Sequence, residues 1–229
     1  MAYQMIHMEI AYRLLNVLVD ITHPAEFILG SVAPDSVHMN PDFEMGRKVK
    51  SHLFEGCGEW GDTRDYERWS HNIGEMLAKA WTMKDRTDYR DFVLGMCVHC
   101  LTDYWNDLNI WRRLQREYIP LMSPGEFKDA YYPEARGIDI WLYQNSRNTK
   151  AIIKLLSEAS AFDVEGMVNR EDMEKQRWHL LNVQYHVPTV DISRYRFLSA
   201  DFLENFIESA VNHIADSIKD SGIIARQQN

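Results

Sequence analysis

The chain has 229 residues, of which 45% are hydrophobic and 12% aromatic, and its formal net charge is −9. This composition argues against disorder and can fill one core, so we expect a single domain over residues 1–229. The negative charge argues against long nucleic acids and anionic membranes as broad electrostatic partners, although a small phosphate ester held by metal ions is compatible with it.

Signals for a cellular compartment are few. The segment Met1–Met5 has no basic region followed by an apolar run, and no uncharged apolar stretch is long enough to span a bilayer. The three cysteines are Cys57, Cys97 and Cys100, and the last two form a C-x-x-C that raises a redox or zinc-knuckle alternative. Their apolar surroundings favour buried structural thiols, and we predict a cytoplasmic protein.

Helical patterns dominate the first half of the chain, where apolar residues recur at three- and four-residue spacing. The first predicted elements are a helix over residues 5–19 and a short helix that begins at Pro24 and ends by Pro34. An irregular but ordered segment over residues 36–61 follows. Two helices come next, one over residues 62–81 and one from Thr87 or Asp88 to about residue 116.

The second half continues in the same way. Ser123–Glu126 has the pattern of a capping box and begins a helix that continues beyond Trp141. Asn169 caps a helix to about Val183, and Ser199 caps a last helix that ends before Gly222. No run alternates clearly enough to predict a strand. We therefore predict an all-α fold, a single multi-helical domain of roughly seven helices.

Two ionisable residues interrupt the most apolar helix of the chain. His99 and Asp103 stand at positions i and i+4 within Phe92–Trp105, so both side chains lie on one face. A buried carboxylate is costly unless it is paired, and His nitrogen and Asp oxygen are both zinc ligands. A metal-free hydrogen-bonded pair is the alternative for these two residues alone.

Three more residues of ligand type precede this helix. Taken singly, His7 is a core or capping histidine of the first helix, Asp35 is a turn residue after a proline, and His52 is a histidine in a surface loop. Each stands beside or just after apolar residues, which makes the ordered set of five more informative than any one member.

Four segments in this order resemble the zinc-dependent phospholipase C family of bacteria, a helical fold shared with single-strand-specific nucleases. They are Met5–His7, Phe27–Asp35, Lys50–His52 and Leu94–Asp103, with the patterns L-G-S-x-A-P-D and H-x-x-x-D in the second and fourth. The resemblance covers about residues 5–106 and implies a metal site in the helical core that holds one or two zinc ions.

The resemblance also implies the ligand set. Asp35, His52, His99 and Asp103 would hold one zinc ion, and Asp103 would bridge to a second ion held by His7. The chain departs from the family in its third site, because residues 104–160 contain neither the further histidine nor the H-x-x-x-E of that family. A third ion is therefore absent or is held by other residues, for which the candidates are Asp107, Glu134 and Asp139.

The function implied by this resemblance is zinc-dependent hydrolysis of a phosphoric ester, by attack of an activated water on phosphorus. Asp35 is the candidate general base, and the substrate is a small phosphoester or a phospholipid. The alternative is a catalytically inactive metal-binding or metal-sensing helical domain that has lost part of the trinuclear site. A histidine–aspartate phosphohydrolase is disfavoured because the sequence has no adjacent His-Asp pair.

Overall fold

Ten α-helices make up most of the computed structural model, which describes residues 3–227 and, for side chains, residues 3–221. The helices are α1 (Gln4–Leu14), α2 (Pro24–Gly30), α3 (Met45–Ser51), α4 (Tyr66–Trp81), α5 (Thr87–Asn106), α6 (Arg112–Tyr118), α7 (Pro124–Asn145), α8 (Thr149–Glu158), α9 (Arg170–His179) and α10 (Ala200–Gln227). The all-α prediction is confirmed, whereas the predicted number of roughly seven helices is too small.

Part of the difference lies in residues 36–61, for which only an irregular segment was expected. A 3-10 helix over Ala33–Met39 leads into this region, α3 follows, and a short antiparallel hairpin pairs β1 (Gly58–Glu59) with β2 (Asp62–Thr63). Gly61 has a φ of 88° in the hairpin turn, a conformation that glycine adopts without strain. These pieces are too short for helical or strand periodicity to reveal them.

Helix α8 was not predicted as a separate helix, and the first helix ends at Leu14 rather than at residue 19. Other differences lie at helix ends. One π-turn, Asp107–Trp111, joins α5 to α6, and a second, Leu180–Gln184, extends α9, so both predicted helices are continuous runs with a local change of hydrogen bonding. The predicted end before Gly222 is wrong, because α10 continues to Gln227. A single glycine costs a helix about 1 kcal/mol, which alone does not terminate it.

Helix α5 is the centre of the fold. Every residue from Asp91 to Asp103 is buried, and α2 and α4 pack against it. Helix α2 approaches α5 at two glycines: a Cβ on Gly30 would lie 3.1 Å from the Cα of Gly95, and a Cβ on Gly95 would overlap the carbonyl oxygen of Phe27. This close crossing brings the backbone that follows α2 against the middle of α5.

Two further expectations concern the surroundings of the core. All three cysteines are buried and none forms a disulfide, and burial raises the pKa of the Cys97 and Cys100 thiols, as expected of structural rather than reactive cysteines. Among the described residues, no helix has the length and apolar character needed to cross a bilayer.

Candidate metal centre

The structure brings the five predicted ligands together, although they come from four separate parts of the chain. His7 lies on α1, Asp35 on the 3-10 helix and His52 directly after α3, while His99 and Asp103 lie on α5. The three histidines are fully buried. Asp35 is the most accessible of the five, with 15% of its side chain exposed.

Four of these residues form a compact group, which we call the four-ligand cluster: Asp35, His52, His99 and Asp103. The Nε2 atom of His52 lies 3.3 Å from Asp35 Oδ1, 3.2 Å from His99 Nε2 and 3.7 Å from Asp103 Oδ2. The Nε2 atom of His99 lies 3.8 Å from Asp103 Oδ2. Two ligand atoms on a tetrahedral zinc ion are about 3.4 Å apart, because each bond is about 2.0–2.1 Å long. The ligand atoms of Asp35, His52 and His99 all lie within 4.8 Å of one another, and so do those of His7, His99 and Asp103, so each group of three could hold a metal ion.

Backbone carbonyls fix the state of the two histidines at the centre of this cluster. His99 Nδ1 lies 2.8 Å from the carbonyl oxygen of Ser31, and His52 Nδ1 lies 2.9 Å from that of Lys48. A carbonyl oxygen only accepts hydrogen bonds, so each Nδ1 carries a hydrogen, and in the neutral ring each Nε2 presents a lone pair. Such carbonyl partners are the usual support of metal-ligating histidines.

The consequence is two lone pairs that face each other at 3.2 Å, with two carboxylates beside them. Burial and the neighbouring His7 lower the pKa of His99 to about 3, although Asp35 and Asp103 act in the opposite direction. A cation among these atoms would relieve the repulsion, which is why the residues fit a metal ion.

His7 forms a second group with Asp103. Its ring stacks on that of His99 with the centroids 3.8 Å apart, and its Nε2 atom lies 3.5 Å from Asp103 Oδ1. Within the described residues, neither ring nitrogen of His7 makes a hydrogen bond. Asp103 thus directs one carboxylate oxygen to His7 and the other to the four-ligand cluster, as a bridging carboxylate would.

Both carboxylates are ionised despite their burial. Burial alone would raise the pKa of Asp103, but His7 and His99 outweigh it and hold the pKa well below its usual range. The same holds for Asp35, where burial is outweighed by the Lys48 ammonium and by His52. A deprotonated oxygen is the form that binds a metal ion.

Lys48 belongs to the site, although the sequence did not predict it there. Its side chain is buried, and its Nζ atom donates to Asp35 Oδ1 at 3.1 Å and to His38 Nε2 at 3.0 Å. It also lies 4.9 Å from the centre of the Trp60 ring. Gln4 donates to the other oxygen of Asp35 at 2.7 Å. Nothing in the spacing of Lys48 distinguishes it from the exposed lysine two residues later.

The three candidates for a third metal have other partners. Glu134 accepts from the backbone nitrogens of Arg196 and Phe197 at 2.7 and 2.8 Å, which fixes that loop. Asp139 accepts from the backbone of Ile6 and from the hydroxyl of Tyr185, both at 3.0 Å. Asp107 accepts from the Tyr66 hydroxyl. Among the described residues, none of the three belongs to a group of side chains placed to hold an ion.

Two clefts reach the cluster from outside. The smaller, about 70 Å³, is lined by Asp103 and has aromatic walls that include Trp60 and Trp111. The larger, about 400 Å³, is called the polar cleft here and ends on Asp35. Its polar walls include Lys48, His38, Arg136 and His179.

Comparisons of the chain with protein-family models, with curated proteins and with solved structures find no match. The likeness to zinc-dependent phospholipases C therefore depends on the short motifs quoted above, and the chemistry of the site has to be argued from its own geometry.

Proposed function

We propose that this protein is a metal-dependent hydrolase of phosphoric esters, with zinc as the preferred metal and with a phospholipase C-like arrangement of ligands. The single observation that carries the proposal is the approach of the Nε2 atoms of His52 and His99 to 3.2 Å, with the carboxylates of Asp35 and Asp103 beside them. A mixed set of imidazole and carboxylate ligands is typical of zinc rather than of magnesium or calcium.

The geometry favours one complete position and one partial position. The Nε2 atom of His99 can serve only one ion, because its Nδ1 is already bonded to the Ser31 carbonyl. The four-ligand cluster is then the complete position, and His7 with Asp103 Oδ1 supplies protein ligands for a second ion. A bound divalent ion would polarise a phosphoryl oxygen and lower the pKa of water toward neutrality.

The residues of the chain have separate tasks in this proposal. Asp103 holds both positions together through its two oxygens. Asp35 stands between the cluster and the polar cleft, where its carboxylate can accept a hydrogen bond from the attacking water and orient it. Because its pKa is held low, Asp35 is better suited to orientation than to holding the proton. The polar cleft has the size of a small-molecule site and admits a small phosphoester or a phospholipid headgroup.

The test combines metal content with activity. Protein purified without a histidine tag or added metal is analysed for metals, and hydrolysis of bis(4-nitrophenyl) phosphate is followed for the wild type, His99→Ala and Asp35→Asn. We expect one or two zinc ions per chain in the wild type, loss of metal in His99→Ala, and a larger loss of rate than of stability in Asp35→Asn. A metal-free wild type that chelators do not affect contradicts the proposal.

A catalytically inactive metal-binding or metal-sensing domain is the second candidate, and one observation favours it. Lys48 and Gln4 occupy both oxygens of Asp35, and the other four ligands are almost fully buried, as in closed structural metal sites. In that case the protein binds zinc and loses stability on chelation, but it hydrolyses neither phosphomonoesters nor phosphodiesters, and Asp35→Asn changes no rate.

A further inference from the structure

The charge on the walls of the polar cleft differs from that of the whole chain, which has a net charge of −9. Arg136, on α7, lines this cleft, and within the described residues its guanidinium makes neither an ion pair nor a hydrogen bond. Lys48, on α3, lines the same cleft and carries the second fixed positive charge. His38 and His179 add ring nitrogens that can donate hydrogen bonds.

Of the two carboxylates that line the cleft, one offsets Lys48 and neither pairs with Arg136. Asp35 is already paired with Lys48 at 3.1 Å and belongs to the four-ligand cluster. Asp139 is buried, which raises its pKa to about 7, and both of its oxygens accept hydrogen bonds from the protein. The guanidinium of Arg136 is therefore the charge in the cleft that has no partner of opposite sign among the described residues.

We propose that the polar cleft binds a second anionic group of the substrate through Arg136, so that the substrate is a small phosphoester that also carries a carboxylate or a further phosphate. This inference rests on the proposed function for one point, the location of the reacting phosphoryl group at the four-ligand cluster. A guanidinium suits the role because it binds carboxylate and phosphate oxygens with two parallel hydrogen bonds.

The dimensions of the cleft support the same substrate class. Asp35 lines the cleft and also belongs to the four-ligand cluster, so the cleft adjoins the position proposed for the phosphoryl group. A volume of about 400 Å³ holds a compound of roughly drug-fragment size but no long acyl chain. The guanidinium of Arg136 disfavours a cationic headgroup, because like charges at close range repel.

The test compares two probes that share a phosphate and differ in their second group. Phosphoglycolate carries a carboxylate, and phosphocholine carries a quaternary ammonium. Binding of each to the purified full-length chain is measured by isothermal titration calorimetry at pH 7.5, with metal content determined on the same preparation. Arg136→Gln removes the charge, and Arg113→Gln is the matched control, because Arg113 is exposed on α6 and lines no cleft described here.

We expect phosphoglycolate to bind at least about tenfold more tightly than phosphocholine, the ratio that one charge-assisted hydrogen bond produces. Arg136→Gln should abolish this preference, and Arg113→Gln should retain it. The inference is overturned if phosphoglycolate shows no measurable binding, if the preference is absent in a metal-loaded wild type, or if Arg136→Gln leaves it unchanged. If the protein contains no metal but still prefers phosphoglycolate in a way that depends on Arg136, the proposed function is refuted and the anion site at Arg136 is supported.

Discussion

The crossing of α2 and α5 gives the sharpest test of how the fold supports the site, and the perturbation is Gly95→Ala. A Cβ at this position would overlap the carbonyl oxygen of Phe27 and would lie 3.0 Å from both Gly30 Cα and Ser31 N. Carbon and nitrogen atoms in ordinary contact are about 3.5–4.0 Å apart. The two helices must therefore move apart by about 1 Å, and no flexible side chain can absorb the change because all these neighbours are backbone.

The expected size of the effect follows from this geometry. Overpacking of a rigid core typically costs about 1–3 kcal/mol, and a chain of this length loses about 2–4 °C in Tm for each kcal/mol. We expect Gly95→Ala to lower Tm by about 5–10 °C. Separation of the helices also moves the Ser31 carbonyl away from His99 Nδ1, now at 2.8 Å. Loss of such a support typically weakens metal affinity about 10–100-fold.

Thermal unfolding followed by circular dichroism at 222 nm, with zinc and with a chelator, measures both effects. Gly74→Ala is the control, because a Cβ at Gly74 in α4 meets nothing within 4 Å. Alanine there should be neutral or should stabilise the helix by up to about 1 kcal/mol. Equal Tm values for Gly95→Ala and Gly74→Ala would refute the reasoning that this crossing supports the site.

Three further substitutions test the charges of the site. Zinc at a hundredfold excess over Kd should raise the Tm of the wild type by about 5–10 °C. Asp103→Asn should abolish most of this rise, because the residue faces both metal positions. Asp107→Asn, one turn later, should retain the rise. Lys48→Met should strengthen zinc binding about tenfold in a chelator competition, because the ammonium that competes for Asp35 is removed. The free energy of unfolding of the wild type should fall as the pH rises from 4 to 7, and Asp139→Asn should remove most of this fall. The pKa of the Asp139 carboxyl is raised to about 7 in the folded protein, so the folded group stays protonated while the unfolded group ionises. This difference lowers the stability of the wild type by up to about 4 kcal/mol at pH 7.

Each of these predictions has a result that would contradict it. Lys50→Met, at an exposed position of α3, is the control for Lys48→Met, and equal zinc affinities of the two variants would exclude competition by the buried ammonium. Urea unfolding at pH 4.5 and pH 7.5 compares Asp139→Asn with the wild type. The same difference in stability between the two proteins at both pH values would show that Asp139 does not titrate in this range. Loss of the zinc effect in Asp107→Asn as well would show that the response is not specific to Asp103.

The long helices could be predicted because their local signals agree. The capping box at Ser123 and Glu126 is present, with the Ser123 backbone nitrogen donating to the Glu126 side chain at 2.8 Å. Helix α4 begins one residue after Asp65, whose side chain accepts from the backbone of Arg68, and not at Asp62 as expected. Either aspartate can cap a helix, and the hairpin formed by β1 and β2 decides between them, which is a tertiary effect.

The candidate metal centre also has a part that local sequence could predict and a part that depends on tertiary packing. His99 and Asp103 share a helix, so their common face follows from spacing alone. That His7 and His52 approach them depends on how α1 packs against α5 and on how α3 packs against the 3-10 helix, and only the family resemblance suggested it. The neighbours Lys48, Arg136 and Ser31 could not be predicted, because nothing in the sequence separates a buried lysine, a cleft arginine or one particular carbonyl from the many others.

The central claim is that a zinc ion binds between the imidazoles of His52 and His99 and the carboxylates beside them. X-ray absorption at the zinc edge on protein purified without added metal tests it most directly, because scattering by nitrogen and oxygen ligands differs from that by sulfur. We predict zinc with nitrogen and oxygen ligands at about 2.0–2.1 Å and a multiple-scattering signal from at least two imidazoles. Absence of zinc, or sulfur scattering at about 2.3 Å from Cys97 or Cys100, would contradict the account.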